Sequence, residues 1–421
     1  MKSSTASNSA KIVAPQLRSF RPSKRNVATY TAPPARLQIV HSPSAPPAPE
    51  WSTRIPALDG LRGIAILLVL LRHGLFGMES SSLLVNRLLT VGQLSWSGVD
   101  LFFVLSGFLI GGILLDARDS PRYYSTFYAR RAYRILPLYF GITILFLLHH
   151  IPIRVLSRAF GDSSPLSIPW ASYLTFTQSF FMVHLGWYGP PAMAVTWSLA
   201  VEEQFYLATP FLIRKIRGTR LVATLLLIIV AAPFLRLLLR HTLTHGDFAC
   251  YILMPCRADA LCLGVLTAYM VRRPAFWGQV IKRRNLLRLA GGILSAGVAF
   301  MTWRHYDQLS LPMTTWGYSW LALTYACFLL ISVSSSTGIW HGFLCKPWLM
   351  RLGTLAYCTY LLHYPLIQTG HRVFTGIFPS RPNSAWLIGS FTAVAFTLLL
   401  AAFSWKYFEK PMLRRGHKYQ Y

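Results

Sequence analysis

The chain has 421 residues, of which 53% are hydrophobic and only 13% are charged, and its formal net charge is +28. This composition argues against an ordinary soluble domain and indicates a polytopic membrane protein, because long apolar runs recur along the chain. Nucleic acid is not an expected partner, since the basic residues lie in an N-terminal segment and in short loops and not on one folded soluble face.

Residues 1–54 are predicted to form a disordered basic tail on the cytoplasmic side of the membrane. Residues 1–49 contain no acidic residue and are rich in Ser, Pro, Ala, Lys and Arg, so they have too little apolar surface to fold alone. Their Arg and Ser content is also similar to that of an organellar transit peptide, and this alternative stays open.

Nine apolar runs between residues 55 and 409 are long enough to cross a bilayer as helices, since a span needs about 20 residues. In chain order they cover 58–76, 98–115, 133–149, 221–239, 250–271, 286–303, 316–333, 352–369 and 385–404. A further stretch, 170–213, contains the Gly and Pro residues of GWYGPPAMAVTW. We expect one net crossing there, with 187–197 as a re-entrant or broken segment. The predicted fold is an all-α polytopic membrane helix bundle of about ten spans over 55–409.

The distribution of Lys and Arg sets the expected orientation of this bundle. If 170–213 crosses once, most loop cations fall on one side, which the positive-inside rule places in the cytoplasm. The sequence therefore predicts a multi-pass protein of the cell (inner) membrane with both termini cytoplasmic. Residues 410–421 form a second short basic cytoplasmic tail in this interpretation.

The second span contains the small residues of LSGFLIGG, with Gly107 and Gly111 four positions apart. Small residues at this spacing let helix backbones approach closely. We therefore expect this face of the second span to pack tightly against another helix.

The first span, in LDGLRGIAILLVLLRH, carries Arg62 and His73 within an apolar run. Ionisable groups inside a membrane indicate a functional site unless they are paired. Eleven residues correspond to about 16 Å of rise and to nearly a whole number of helical turns. The side chains of Arg62 and His73 should therefore face the same cavity at two different depths in the membrane. His73 is the candidate general base, and Asp100 or Glu202 is the candidate carboxylate that orients its ring.

Four other ionisable residues, namely Asp100, Glu202, Asp259 and His363, are expected at similar depth in other spans. Together they predict a wet site near the middle of the membrane. The alternative is that some of these groups form structural ion pairs, for which Arg257 with Asp259 and Asp59 with Arg62 are the candidates.

The segment YARRAYRILPLYF places Arg130, Arg131 and Arg134 at the inner mouth of the third span. Positive-inside anchoring explains part of this charge. Arginine forks also bind phosphates well, so the three residues are candidates for holding a phosphorylated cosubstrate.

These motifs resemble the acyltransferase 3 family of integral-membrane O-acyltransferases. The family signature, Arg-x10-His, matches Arg62 and His73. The further matching segments, in the order of the family, are GVDLFFVLSGFLI, YARRAYRILPLYF, TWSLAVEEQFYL, RADALCLG and YLLHYPL.

The resemblance implies transfer of an acyl group, usually acetyl, from cytosolic acyl-CoA to a hydroxyl presented from the outer side. The expected acceptor is a carbohydrate, a lipid-linked sugar or a related molecule. No permanently bound cofactor and no metal are expected. The predicted residues are His73, Asp100 and Glu202 for catalysis; Arg62, Arg130, Arg131 and Arg134 for acyl-CoA; and Glu203, Arg257, Asp259, Tyr360 and His363 for the acceptor.

Two other classes of function fit part of this evidence. A transporter or flippase also uses broken helices and charges near the middle of the membrane. A structural or sensing membrane protein would tolerate apolar replacement of Arg62 and His73. Only the enzyme would release free CoA from acyl-CoA when the acceptor is added.

Overall fold

The computed structural model describes residues 51, 54–75, 92–159, 168–375 and 384–421, and the regular secondary structure of this part of the chain is helical, without a strand. We number its α-helices α1 to α17. They are Pro56–Leu75, Gly98–Asp116, Tyr123–Ala159, Trp170–Leu174, Gln178–Leu185, Pro191–Ala194, Thr196–Lys215, Gly218–Thr242, Gly246–Ile252, Met254–Val271, Pro274–Lys282, Arg284–Trp303, Tyr318–Ser334, Ile339–Leu344, Pro347–Thr375, Ser384–Ser404 and Lys410–Gly416. A 3-10 turn, Leu94–Ser97, precedes α2, and π-helical segments at Met313–Gly317 and Trp405–Glu409 precede α13 and α17.

Seven helices in the described ranges are long and apolar enough to cross a membrane. They are Leu94–Asp116, Tyr123–Leu148, Gly218–Thr242, Gly246–Val271, Arg284–Trp303, Met313–Ser334 and Ala385–Gly416. The prediction of an all-α multi-pass bundle is thus confirmed, whereas the count of about ten is not reached by length and apolarity alone.

The three predicted spans missing from these seven correspond to α1, α7 and α15. They have 20, 20 and 29 residues, which is long enough to cross a bilayer, but they carry more polar side chains than the others. Several of these polar groups, including Arg62, Glu202 and Tyr360, line an internal cavity. The polarity of these helices therefore reflects a site inside the bundle.

The predicted break at 187–197 is confirmed. Helix α5 ends at Leu185, the next residue Gly186 has a left-handed φ of 69°, and Gly189 has a φ of 78°. Pro190 and Pro191 then start the four-residue helix α6, and α7 begins at Thr196. Glycine adopts positive φ without strain, and proline suits the first turn of a helix, so these residues account for the break.

Close backbone contacts between helices fix the centre of the bundle. A Cβ added at Gly107 would lie 2.0 Å from the carbonyl oxygen of Leu261, so α2 and α10 touch through their backbones as the small-residue spacing predicts. On α15, a Cβ at Gly353 would lie 2.0 Å from the carbonyl oxygen of Asp59 on α1. Helix α1, with Arg62 and His73, is thereby held rigidly against α15.

The two predicted tails have different outcomes. The N-terminal tail, 1–54, lies outside the described residues except for Trp51 and Arg54. The C-terminal segment is ordered against α3, since the Thr126 hydroxyl donates a 2.9 Å hydrogen bond to the carbonyl oxygen of Gln420.

Candidate active site

A cavity of about 300 Å³ lies between α1, α2, α3, α7, α15 and the segment that leads into α17. It extends along α2 from Ile113 to Val99, which corresponds to about 21 Å of helix. The polar and ionisable residues that line it include Arg62, Ser106, Arg131, Arg134, Ser198, Glu202, Tyr360 and Glu409. Such a long, mostly apolar cavity with a few polar groups is suited to an extended ligand.

Arginines gather at one end of the cavity. Arg131 and Arg134 are three residues apart on α3, so they share a helix face, and Arg62 reaches the cavity from α1. Within the described part of the chain, neither Arg131 nor Arg134 has an ion-pair partner within 4.0 Å. Arg62 lies 3.4 Å from Asp59, whose other carboxylate oxygen is 2.6 Å from Arg54. The cavity therefore offers guanidinium groups that can bind an anion.

Arg130 has a different environment from its neighbour Arg131. One step along a helix turns the side chain by about 100°, and Arg130 faces the C-terminal segment. Its Nε donates a 2.8 Å hydrogen bond to the carbonyl oxygen of Tyr419, and its guanidinium lies 5.0 Å from the centre of the Tyr421 ring. The structure does not place Arg130 among the residues that line the cavity.

The glutamates of α7 also differ from each other. Glu202 lines the cavity together with Tyr206, whose hydroxyl is hydrogen-bonded to that of Ser106. Glu203 is not a lining residue, and its Oε1 is buried without a hydrogen-bond partner among the described residues. Of this pair, Glu202 is placed to meet a ligand.

Tyr360 closes the end of the cavity opposite the arginines. Its hydroxyl forms a hydrogen bond with the hydroxyl of Ser198 and lies 3.2 Å from the carbonyl oxygen of Val195. Its ring meets the edge of Phe102, with 6.2 Å between ring centres. A ligand that fills the cavity therefore ends against Tyr360.

His73 lies beyond this end, in contact with His363, and does not itself line the cavity. His363 follows Tyr360 by three residues, so it lies one turn further along α15. The Nε2 atom of His363 is 3.1 Å from Nδ1 of His73, and the ring centres are 4.8 Å apart. The structure thus joins two residues that the sequence predicted separately.

The partners of the two rings assign their tautomers. Nδ1 of His363 is 2.7 Å from the carbonyl oxygen of Tyr360, which can only accept, so this nitrogen carries a proton. Nδ1 of His73 likewise donates to the carbonyl oxygen of Val69, 3.0 Å away, and to Nε2 of His363. The Nε2 atom of a neutral His73 is then unprotonated, as a general base requires.

The other predicted residues form a separate buried cluster. Asp100 is ion-paired with Arg257, and Asp259 lies 2.9 Å from Arg236 and 2.6 Å from the hydroxyl of Ser319. The structure brings Asp100 to Arg257 and not to His73, and it pairs Asp259 with Arg236 and not with Arg257. Asp259 therefore forms a structural ion pair, but with Arg236 and not with the predicted Arg257.

Sequence reasoning missed two residues of these clusters. Glu409 is 7% exposed and lines the arginine end of the cavity, although it follows the last apolar run and carried no motif. Arg236 is fully buried, and its guanidinium donates hydrogen bonds to the carbonyl oxygen of Thr314, the carboxylate of Asp259 and the hydroxyl of Ser319. Its position inside the apolar run PFLRLLLR was a usable signal, because a charge within a span needs a partner.

The fold and the cavity together define a multi-pass helical membrane protein with an internal ligand site. A family model described as an acyltransferase domain matches residues 55–403, so the chain belongs to this family. The predicted resemblance is therefore confirmed, and with it the enzyme class at the level of the family.

The curated relatives have names of one kind. Over 388 residues the chain is 25% identical to "O-acetyltransferase OatA" of Staphylococcus aureus, a match that covers 86% of this chain and 58% of the relative. It is 24% identical over 383 residues to "Peptidoglycan O-acetyltransferase OatA" of Listeria monocytogenes, covering 86% and 56%. It is 27% identical over 392 residues to "Putative peptidoglycan O-acetyltransferase YrhL" of Bacillus subtilis, also covering 86% and 56%.

The chain thus spans less than two thirds of the length of these relatives. Comparison with solved structures gave no match for this chain.

Proposed function

We propose that this protein transfers an acetyl group from acetyl-CoA to a hydroxyl of a glycan, with His73 as general base. The observation that carries the proposal is the arginine-lined cavity, whose far end at Tyr360 lies one helical turn from His363, which in turn contacts His73 and leaves Nε2 of His73 unprotonated. The names of the curated relatives support acetyl as the group and a glycan such as peptidoglycan as the acceptor.

The donor would enter from the end where Arg62, Arg131 and Arg134 lie. Guanidinium groups bind phosphates through paired hydrogen bonds, and CoA carries several phosphates at one end. Its flexible pantetheine arm would follow the apolar lining of α2 towards Tyr360. By the positive-inside rule we assign this end, and both termini, to the cytoplasm.

The reaction would be a direct transfer. Nε2 of His73 takes the proton from the acceptor hydroxyl, and the hydroxyl oxygen attacks the thioester carbonyl. The carbon–sulfur bond then breaks, and the CoA sulfur leaves and takes the proton from His73. General-base help of this kind is typically worth about 10² to 10⁴ in rate.

His363 would act as a positioning residue in this reaction. Because its Nε2 accepts from Nδ1 of His73, it keeps the lone pair of His73 on the opposite nitrogen. The Tyr360 carbonyl holds His363 in turn. This role replaces that of Asp100, which is held by Arg257.

The central test is His73→Ala in the full chain, purified and reconstituted into nanodiscs. With acetyl-CoA and peptidoglycan fragments, we expect kcat to fall by at least about 100-fold while the KM for acetyl-CoA stays unchanged. The readouts are thiol release that depends on the fragments and acetyl groups on the glycan. His241→Ala changes an exposed histidine at the end of α8 and should behave as wild type. Full activity of His73→Ala would refute the assignment.

The positioning role is tested with His363→Ala and His363→Gln. We expect the alanine variant to lose about 10- to 100-fold in kcat without a change in the KM for acetyl-CoA. The glutamine variant should recover part of the rate, because its amide oxygen can accept from Nδ1 of His73. If His363 were only structural, the kcat of His363→Gln would not exceed that of His363→Ala.

A further inference from the structure

A second cavity, of about 250 Å³, lies at the opposite end of α1. Arg72, which immediately precedes His73, is one of its lining residues, together with Gln93, Trp96, Thr302, Tyr306 and Asp307. Arg62 lines the first cavity and Arg72 the second, ten residues or about 15 Å further along the helix. The two cavities therefore lie towards opposite ends of α1.

Arg72 connects this second cavity with the surroundings of His73, because the two residues are neighbours on α1. The ring of Tyr364 lies 4.9 Å from the ring of His73, centre to centre. A molecule held between Arg72 and Asp307 therefore lies at the same end of α1 as His73 and outside the first cavity.

The lining combines aromatic rings with groups that donate and accept hydrogen bonds. Trp96 and Tyr306 provide flat apolar surface, while Arg72 donates a 2.7 Å hydrogen bond to the Gln93 amide oxygen. One oxygen of Asp307 accepts from the backbone N–H of Leu309 at 2.9 Å, which holds this carboxylate in place. Thr302 adds a hydroxyl.

This lining selects among possible ligands. An acyl chain would strand Arg72 and Asp307 against apolar surface, and a simple anion would meet the carboxylate of Asp307. A pyranose ring suits the lining better, because it has an apolar C–H face for an aromatic ring and hydroxyls that both donate and accept. The volume is close to the lower limit for a small-molecule site, which fits a single ring.

Hydrogen bonds within the loop that carries Tyr306 and Asp307 hold its backbone in one conformation. His305 has a φ of 51°, a left-handed conformation that is uncommon outside glycine, and it too lines the cavity. The backbone N–H of Tyr306 donates to the carbonyl oxygen of Met301 at 3.1 Å, and the Ser310 hydroxyl donates to that of Asp307 at 2.7 Å. Backbone strain of this kind is concentrated at binding and active sites.

We infer that this cavity is the acceptor site and binds one sugar ring, presenting a hydroxyl to His73 from the side opposite the donor. The inference rests on the proposed function for the identity of the reaction, but sugar binding itself can be measured without any transfer.

The experiment is isothermal titration of the full chain in nanodiscs with two probes, chitobiose and maltose, each titrated separately. The variants are Tyr306→Ala, which removes an aromatic face, and Asp307→Asn, which keeps an oxygen for the Leu309 N–H but removes the charge. Arg304→Gln is the matched control, since Arg304 is exposed in the same loop and does not line the cavity. CoA is titrated in parallel with every protein.

We expect wild type and Arg304→Gln to bind at least one disaccharide saturably, and each cavity variant to bind it about tenfold more weakly. CoA binding should be equal in all four proteins. Equal sugar binding by the variants, or no binding of either disaccharide by wild type, would overturn the inference. A protein that binds sugar in this way but never releases CoA from acetyl-CoA would instead contradict the proposed function.

Discussion

Two groups of arginines inside the bundle differ in how their charges are compensated. Arg236 and Arg257 are fully buried, and each is ion-paired with an aspartate, Asp259 and Asp100 respectively. Arg131 and Arg134 are half-buried, line a cavity and have no ion-pair partner among the described residues.

The difference separates structural charge from functional charge. The paired arginines join α8, α10, α2 and α13, and the guanidinium of Arg257 lies 3.9 Å from the centre of the Tyr318 ring. All three guanidinium nitrogens of Arg236 donate hydrogen bonds within the protein. Nη2 of Arg257 donates to Asp100, whereas its Nε and Nη1 are buried without a hydrogen-bond partner among the described residues. The cavity arginines keep their donors for a ligand. We therefore expect mutations in the first group to change stability and those in the second to change binding.

The largest effect is expected on removing one member of a buried pair. Arg257→Leu leaves the Asp100 carboxylate buried and alone, which should lower the free energy of unfolding by about 3 to 5 kcal/mol. Unfolding of the purified protein in mixed micelles, followed by far-UV circular dichroism, measures this change. The double variant Asp100→Leu/Arg257→Leu should recover most of the loss, because no isolated charge remains. A single variant as stable as wild type would show that this pair is not structural.

The next effect concerns donor binding. Arg131→Ala or Arg134→Ala removes a guanidinium that has no ion-pair partner in the described structure, so the free energy of unfolding should change by less than about 1 kcal/mol. The KM for acetyl-CoA should rise by about 10- to 100-fold, the equivalent of one lost hydrogen bond to a charged group. Steady-state thiol release measures the KM. Loss of stability with an unchanged KM would place these arginines in the structural group.

A smaller effect distinguishes guanidinium geometry from charge alone. Arg131→Lys keeps the charge but loses the planar fork that can bind a phosphate through two hydrogen bonds. We expect a rise in the KM for acetyl-CoA of about 3- to 10-fold, between wild type and Arg131→Ala. An equal KM in the lysine variant and wild type would mean that charge alone is sufficient.

The smallest effect is expected for Arg130→Ala, the neighbour in sequence of Arg131. Arg130 donates to Tyr419 and does not line the cavity, so the KM for acetyl-CoA should stay within about twofold of wild type. The same thiol-release assay provides this value. A large rise in KM would mean that the C-terminal segment moves aside and lets Arg130 reach the donor.

Much of the fold was predictable because local patterns determine it. Apolar length identified the bundle, and the Gly and Pro residues around Gly189 identified its broken segment. The spacing of Gly107 and Gly111 identified a close helix contact, since a small side chain is needed wherever two backbones touch. The number of spans is harder to obtain from length and apolarity. Helices α1, α7 and α15 carry polar side chains that face the cavity, so they are less apolar than the other spans.

The site was only partly predictable. The sequence predicted Arg130, Arg131 and Arg134 together at the mouth of the third span, and the structure brings Arg131 and Arg134 to the cavity with Arg62 and Glu202. It does not bring Arg130 there, because the C-terminal segment supplies it with another partner. Glu409 entered the site with no local signal at all.

The sequence by itself determined that this chain is a helical membrane protein of the acyltransferase family and which ionisable residues lie within its spans, because hydropathy and helical periodicity are local properties. Only the tertiary structure decided which charge meets which. Asp100 pairs with Arg257, Asp259 with Arg236, and His73 with His363, across 157, 23 and 290 positions of the chain. Such pairings depend on which helices pack side by side, and helix packing is set by the whole bundle and not by any one span.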